Sequence, residues 1–194
     1  MAKKNARNTR GRIVSAAWKL FYEQGYEDTT VEEIIDLSQT SKGSFYHYFD
    51  GKDALLSTLS TLFDEKYEEL TEALTPDMTA MDKLLYLNSE LFGMIENSIS
   101  MELLARLLST QLTTSGEKHL LDRNRIYYKL LRKIITEGQS AGQLNTRTSV
   151  SEMVKLYALC ERALMYDWCL SSGEYSLRQY SNRVMPGFLS SFLP

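Results

Sequence analysis

A chain of 194 residues, 43% apolar and 24% charged, is globular material with ample core, enough for one large domain or two small ones. Two cysteines exclude a disulfide framework. No apolar run approaches the ~20 residues of a membrane span, and the charged N-terminus lacks the apolar stretch of a signal peptide, so a reducing, cytoplasmic setting is expected.

The net charge of −3 does not itself suggest a nucleic-acid binder, but its distribution does. Residues 1–22 hold Lys3, Lys4, Arg7, Arg10, Arg12 and Lys19 and no acid, which leaves −9 on the remainder (−3 less 6). A basic arm on an acidic body can follow a phosphate backbone; a solvated tail is the plainer reading. Three prolines, ten glycines and long Leu-rich periodic runs between them predict an all-α chain.

The first helix is expected over Thr9–Gln24, with Ile13, Ala16, Ala17, Leu20 and Phe21 on one stripe and Gly25 as its stop. A second begins at Val31, where Thr30 and Glu33 have the spacing of a capping box and Val31, Ile34 and Ile35 face inward. Ser38-Gln39-Thr40-Ser41 is a turn, with Thr40 or Ser41 able to cap a third helix whose inner face is Phe45 and Phe49. Asp50-Gly51 breaks the chain. Lys52 then opens a long fourth helix to about Leu74, striped by Leu56, Leu59, Phe63, Tyr67, Leu70 and Leu74.

Five more helices are expected in the body: Met81–Asn97, Met101–Leu112, Glu117–Gln139, Val150–Leu170 and Leu177–Phe192. A loop is expected at Thr113–Gly116 and a turn at Ala141-Gly142. Pro186 should kink or end the last helix.

No enzyme signature is present. Gly-rich phosphate loops, C-x-x-C pairs and Glu-x-x-His pairs are missing, and His47 and His119 fall on different predicted helices. No catalytic residue, metal ligand or cofactor is assigned. Thr29–Lys52 is different, because Lys42, Ser44, Tyr46, His47 and Tyr48 crowd one short helix and most must face outward. A helix-turn-helix sets such a helix in the major groove of double-stranded DNA. Gly43 would allow close backbone approach, and Lys42 and Ser44 can donate to bases or phosphates. Tyr46, His47 and Thr30 can hold phosphate oxygens, and Lys52 opens a helix end suited to a phosphate. Tyr48 can face outward or pack in the core.

With AAWKLFYEQGYEDTTVEEI, then TSKGSFYHYF, then GKDALL, residues 10–56 resemble the TetR/AcrR family of transcriptional regulators. The resemblance implies an N-terminal three-helix DNA-binding head over 1–53 and a helical ligand-binding and dimerisation body over 54–194. It also implies a homodimer through the last two long helices, acting on a palindromic operator as a ligand-released repressor. By position Thr29, Thr30, Ser41, Lys42, Gly43, Ser44, Tyr46, His47 and Lys52 match the family's DNA-contacting places.

Polar residues on apolar stripes mark candidate contacts to an unknown small-molecule effector: Asn88, Gln111, Asn124 and Glu161, with Tyr127, Tyr157 and Trp168 beside them. Glu161 either meets ligand or pairs with an arginine across the dimer interface. Cys160 and Cys169 read as small buried apolar residues. Two other readings remain: the same DNA-binding fold controlled by a protein partner or constitutive, and a helix-bundle enzyme.

Overall fold

The computed structural model describes residues 2–113 and 118–194, with side chains from Thr9 onward, and every regular element among them is helical. The chain is therefore all-α. It divides into two compact units, the residues up to Ser60 and Thr61–Pro194.

The first unit holds α1 (Ala2–Gln24), α2 (Val31–Ser38), α3 (Lys42–Tyr48) and α4 (Lys52–Leu56). The apolar stripe of α1 is buried at Ile13, Ala16, Ala17 and Phe21 and half-buried at Leu20, with Ile13 and Ala17 fully enclosed. Thr30 and Glu33 close both halves of the capping box, and Ser41 rather than Thr40 caps α3 by accepting the Ser44 N–H at 3.1 Å. Between α2 and α3, Gln39 takes a left-handed conformation (φ 51°) and the Thr40 N–H returns to the Ile35 carbonyl. Phe45 and Phe49 are buried under α3, which packs on α1 and α2.

The backbone of α1 begins at Ala2, well before Thr9. Lys3, Lys4 and Arg7, the outer part of the basic arm, have side chains outside the described ones. The expected single helix from Lys52 to Leu74 is two helices, α4 and α5 (Leu59–Glu72). The break follows from three hydroxyls. Ser57, Thr58 and Ser60 donate to the carbonyls of Ala54, Leu55 and Ser57, and backbone bonds of the same i→i−3 kind tighten the chain there. Thr58 also accepts the Trp18 indole N–H at 2.8 Å, which ties this turn to α1.

The second unit contains the rest of α5, then α6 (Ala80–Ser98), α7 (Met101–Thr113), α8 (Ile126–Ser140), α9 (Val150–Leu170) and α10 (Leu177–Leu189). α6 packs on α8 and α10, and α9 packs on α7, α8 and α10. α8 approaches α6 closely at Gly138, where a Cβ would lie 2.5 Å from that of Ala80.

The helix expected over Glu117–Gln139 is also divided. His119–Leu121 forms one 3-10 turn, and α8 begins only at Ile126. Asp122 accepts the Asn124 N–H at 2.9 Å, an Asx turn that diverts the backbone. The start of α8 is fixed from a distance: Asp64 on α5 accepts from the Tyr127 N–H at 3.4 Å and from Arg125 at 3.0 and 3.1 Å. Thr114–Gly116 of the expected loop and Glu117 lie outside the described residues. The turn at Ala141-Gly142 is present, with Gly142 at φ 71°. Pro186 does not end α10, which continues to Leu189 and closes with a 3-10 turn at Ser190–Phe192.

Candidate nucleic-acid interface and effector cavities

α3 presents a continuous outward face in the first unit. Ser41, Lys42, Gly43, Tyr46 and His47 are exposed, and Ser44 and Tyr48 are half-buried. Tyr46 is 46% exposed and meets Phe45 edge-on at 5.3 Å, so its ring is held while its hydroxyl faces water. Lys42 lies 3.4 Å from Glu32, but both side chains are about two-thirds exposed and such a pair exchanges readily for a phosphate. A Cβ added at Gly43 would meet only Ser41 Oγ at 3.9 Å, so nothing within the unit requires glycine there. Thr30 is exposed at the start of α2.

Two other sequence-selected residues point inward. Thr29 is 1% exposed, and its hydroxyl donates to the Gly25 carbonyl at 2.7 Å. Lys52 donates to the carbonyls of Tyr26, Glu27 and Thr29 at 2.6, 3.0 and 2.9 Å and stands 4.4 Å from the Tyr26 ring centroid. Its ammonium gathers the loop between α1 and α2, which leaves it no free face for a phosphate.

In the second unit a buried polar chain crosses four helices. Ser181 on α10 donates to Asn88 on α6, and Asn88 donates to Glu161 on α9 at 2.9 Å. Tyr127 on α8 donates to the other Glu161 oxygen at 2.7 Å. Glu161 is 2% exposed and so does not face outward toward a partner. Burial pushes its carboxyl above the ordinary glutamate value, against the hydrogen bonds from Asn88 and Tyr127. Burial first, and then the charge of Glu161, hold the Tyr67, Tyr127 and Tyr157 hydroxyls well above the usual tyrosine range, so they remain donors.

Beside Glu161 is a cavity of about 30 Å³, walled by Phe63, Tyr67, Arg125, Tyr127, Arg162 and Met165 among others. An apolar groove of about 610 Å³ runs past Leu108, Leu112, Leu120, Leu121, Leu159 and Tyr166, with Gln111 at its side. Next to it a cleft of about 350 Å³ carries Arg123, Arg132, Lys155 and Arg162. Arg162 lines all three, and its guanidinium donates to the Tyr128 hydroxyl at 3.3 Å.

The structure thus brings Asn88, Tyr127 and Glu161 together and sets Gln111 on the groove. Tyr157 stands beside Glu161 as well, while Asn124 and Trp168 lie apart. Asn124 is exposed in the Asx turn, because the helix expected through it is broken. Tyr157 spends its hydroxyl on the Leu84 carbonyl at 2.8 Å, and the Trp168 indole donates to the Tyr175 carbonyl at 2.8 Å. Tyr67, Arg125 and the four cations of the cleft were missed by sequence reasoning. Their joint position depends on four separate segments, and only the i, i+7 spacing of Lys155 and Arg162 on one helix hinted at it. Cys160 and Cys169 are half-buried, and burial raises both thiols, Cys169 to about 11, so neither is an activated thiolate. Among the described residues no cluster of His, Cys, Asp or Glu could hold a metal ion, and no helix is long and apolar enough to cross a membrane.

Comparison with known proteins agrees with this geometry. Residues 13–59 match the family model for bacterial regulatory proteins, tetR family. The fatty acid metabolism regulator protein of Bacillus subtilis (strain 168) is 24% identical over 178 residues, 90% of either chain. The structure of FadR from Bacillus subtilis in complex with stearoyl-CoA matches with a TM-score of 0.68 at 24% identity, over 94% of this chain and 99% of that one. Thermus thermophilus FadR, a TetR-family repressor in complex with lauroyl-CoA, matches with a TM-score of 0.72 at 22% identity, over 95% of each chain. The relatives are regulators rather than enzymes. With a helix-turn-helix over the matched residues and an all-helical second unit after it, this chain carries the DNA-binding domain of the bacterial regulatory proteins, tetR family, and is similar along its length to the FadR regulators.

Proposed function

We propose that the protein is a homodimeric repressor that holds a palindromic operator through α3 and releases it when a long-chain acyl-CoA occupies the second unit. The observation that carries the effector class is the junction at Arg162. There an apolar groove of about 610 Å³ adjoins a cleft with four cationic side chains. A groove of that size suits an acyl chain, and clustered guanidinium groups suit the phosphates of coenzyme A. Of the four cations Lys155 has the exposed Glu152 at 3.9 Å, and Arg162 stands near the buried Glu161. The ligands named for the two FadR structures, stearoyl-CoA and lauroyl-CoA, have this same division into apolar chain and polyanionic head.

On DNA, Lys42, Gly43, Ser44, Tyr46 and His47 would face the groove and its phosphates, with Ser41 and Thr30 at the helix starts. Thr29 and Lys52 would support that face from within. The dimer would be built on the outward stripes of α9 and α10. Leu170 stands at the end of α9 beyond the groove, and Tyr180, Val184 and Phe188 share one face of α10. Leu170 is 67% exposed and Tyr180 39%, an apolar surface that a second copy would cover in a two-fold contact. Release follows if the ligand binds unequally to DNA-bound and free dimers, with α5 as the route, since it carries Phe63, Asp64 and Tyr67 to the cavity and its neighbours.

The test begins with an operator selected by the purified protein from random duplexes. Fluorescence anisotropy should then show release by dodecanoyl-CoA or octadecanoyl-CoA and none by coenzyme A alone. Arg123→Ala together with Arg132→Ala should raise the acyl-CoA concentration needed by about tenfold, the worth of one or two charge-assisted bonds. Retention of DNA at saturating acyl-CoA would overturn the effector assignment.

A further inference from the structure

The cavity beside Glu161 contains a polar atom that the fold leaves unused. Tyr67 is 1% exposed, and its hydroxyl, with the Glu161 carboxylate near it, is the one buried side-chain polar atom among the described residues that completes no hydrogen bond of ordinary geometry. Buried hydroxyls are nearly always paired, so an orphan facing a cavity marks a place for a partner. The cavity's volume of about 30 Å³ exceeds what one water needs and admits one or two non-hydrogen atoms.

Its walls restrict what that group can be. Arg125 is held by both oxygens of Asp64, and Arg162 donates to the Tyr128 hydroxyl and stands near the charge of Glu161. A cation would meet the two guanidinium groups, and an anion would meet Glu161. A neutral group remains. It must accept from Tyr67 and donate to Glu161, whose two oxygens each hold one donor and have lone pairs to spare. A methylene does neither, and a carbonyl only accepts. A hydroxyl does both. The cavity shares Leu120 and Arg162 with the apolar groove, so a chain lying in the groove passes beside it.

We infer that the Tyr67–Glu161 cavity is a hydroxyl-recognition subsite at the inner wall of the groove, and that the effector is a hydroxylated acyl-CoA in preference to its saturated counterpart. This inference rests on the acyl-CoA reading above. A saturated chain leaves the Tyr67 hydroxyl unsatisfied, whereas a correctly placed chain hydroxyl satisfies two groups at once, worth about tenfold in affinity.

Calorimetric titration of the full chain with dodecanoyl-CoA and with 2-hydroxy-, 3-hydroxy- and 12-hydroxydodecanoyl-CoA tests it. At least one hydroxylated ligand should bind about tenfold tighter than dodecanoyl-CoA, and Tyr67→Phe should erase that ratio. The Tyr67 ring packs against Tyr127 at 5.0 Å and its hydroxyl completes no hydrogen bond of ordinary geometry, so Tyr67→Phe should fold, as a thermal melt will show. Equal affinity for all four ligands, the result if a resident water already fills the cavity, overturns the subsite and leaves the acyl-CoA reading standing. A ratio that persists in Tyr67→Phe overturns it too. Failure of every acyl-CoA to bind overturns the acyl-CoA reading and this inference with it.

Discussion

The Tyr127 hydroxyl donates to the Glu161 carboxylate at 2.7 Å, between two side chains that are both buried. This bond, with that from Asn88, only partly offsets the cost of burying a charge, and the Glu161 carboxyl is raised above its ordinary value of 4.5. Between those two values the folded protein keeps a proton that the unfolded chain has lost. The contribution of Glu161 to stability is therefore full below the ordinary value and is lost as pH rises through the native one. Glu161→Gln cannot titrate. The stability of the native sequence minus that of Glu161→Gln should fall as pH rises above the ordinary value of 4.5, measured by urea denaturation. A difference independent of pH would show that the carboxyl is not raised.

Arg125 and Asp64 form a bidentate pair with side chains 10% and 16% exposed. The same aspartate accepts the Tyr127 N–H at the start of α8. Removing one member leaves the other charge buried, so Asp64→Ala should cost about 3 kcal/mol. Arg125→Ala should cost less, because Asp64 keeps the backbone N–H. Differential scanning calorimetry should show the larger fall in Tm for Asp64→Ala. The reverse order would mean that Asp64 does not hold the start of α8.

Lys52 and Lys42 separate two uses of a lysine in the first unit. Lys52 bonds three carbonyls, and Lys42 has one exposed carboxylate. Lys52→Met should destabilise the unit by about 2 kcal/mol, the worth of hydrogen bonds to a charged donor. Lys42→Ala should leave the melt unchanged and lower the salt dependence of operator binding by about one phosphate contact. A Lys52→Met protein with native stability would return Lys52 to the DNA surface.

Gly43 tests close approach directly. Its Cβ position is open apart from an ordinary contact to Ser41 Oγ, and its backbone lies in a helix, so Gly43→Leu should fold at least as stably as the native sequence. Operator affinity should fall at least about tenfold if the backbone at Gly43 lies against DNA, since a leucine there would hold the two surfaces apart. Unchanged affinity would place the α3 face elsewhere.

The first unit was largely legible in the sequence because its signals are local. Thr30 and Glu33 are three residues apart, Phe45 and Phe49 four, and a cap or helix face needs nothing farther away. Its misread positions were those whose bonds cross the chain. Lys52 reaches residues 23–26 positions earlier, and the Ser57–Ser60 turn is tied to Trp18 forty positions away. Periodicity alone ran one helix through that turn, since hydroxyl-to-carbonyl bonds leave no gap in an apolar stripe.

The second unit divides the same way. By itself the sequence determined an all-helical body and the placement of Glu161 on an apolar stripe, because apolar periodicity follows from helix geometry. Whether Glu161 faced a partner, a ligand or the core depended on what stood opposite, and the tertiary structure set Asn88 and Tyr127 there. It also decided where α8 begins, since the acceptor that fixes it is Asp64, sixty-three positions from Tyr127. The cationic cleft gathers Arg123, Arg132, Lys155 and Arg162 from a turn and two helices, and no window of sequence contains it. A helix is a local hydrogen-bonding pattern and can be read locally; a cavity is bounded by side chains that only packing brings together.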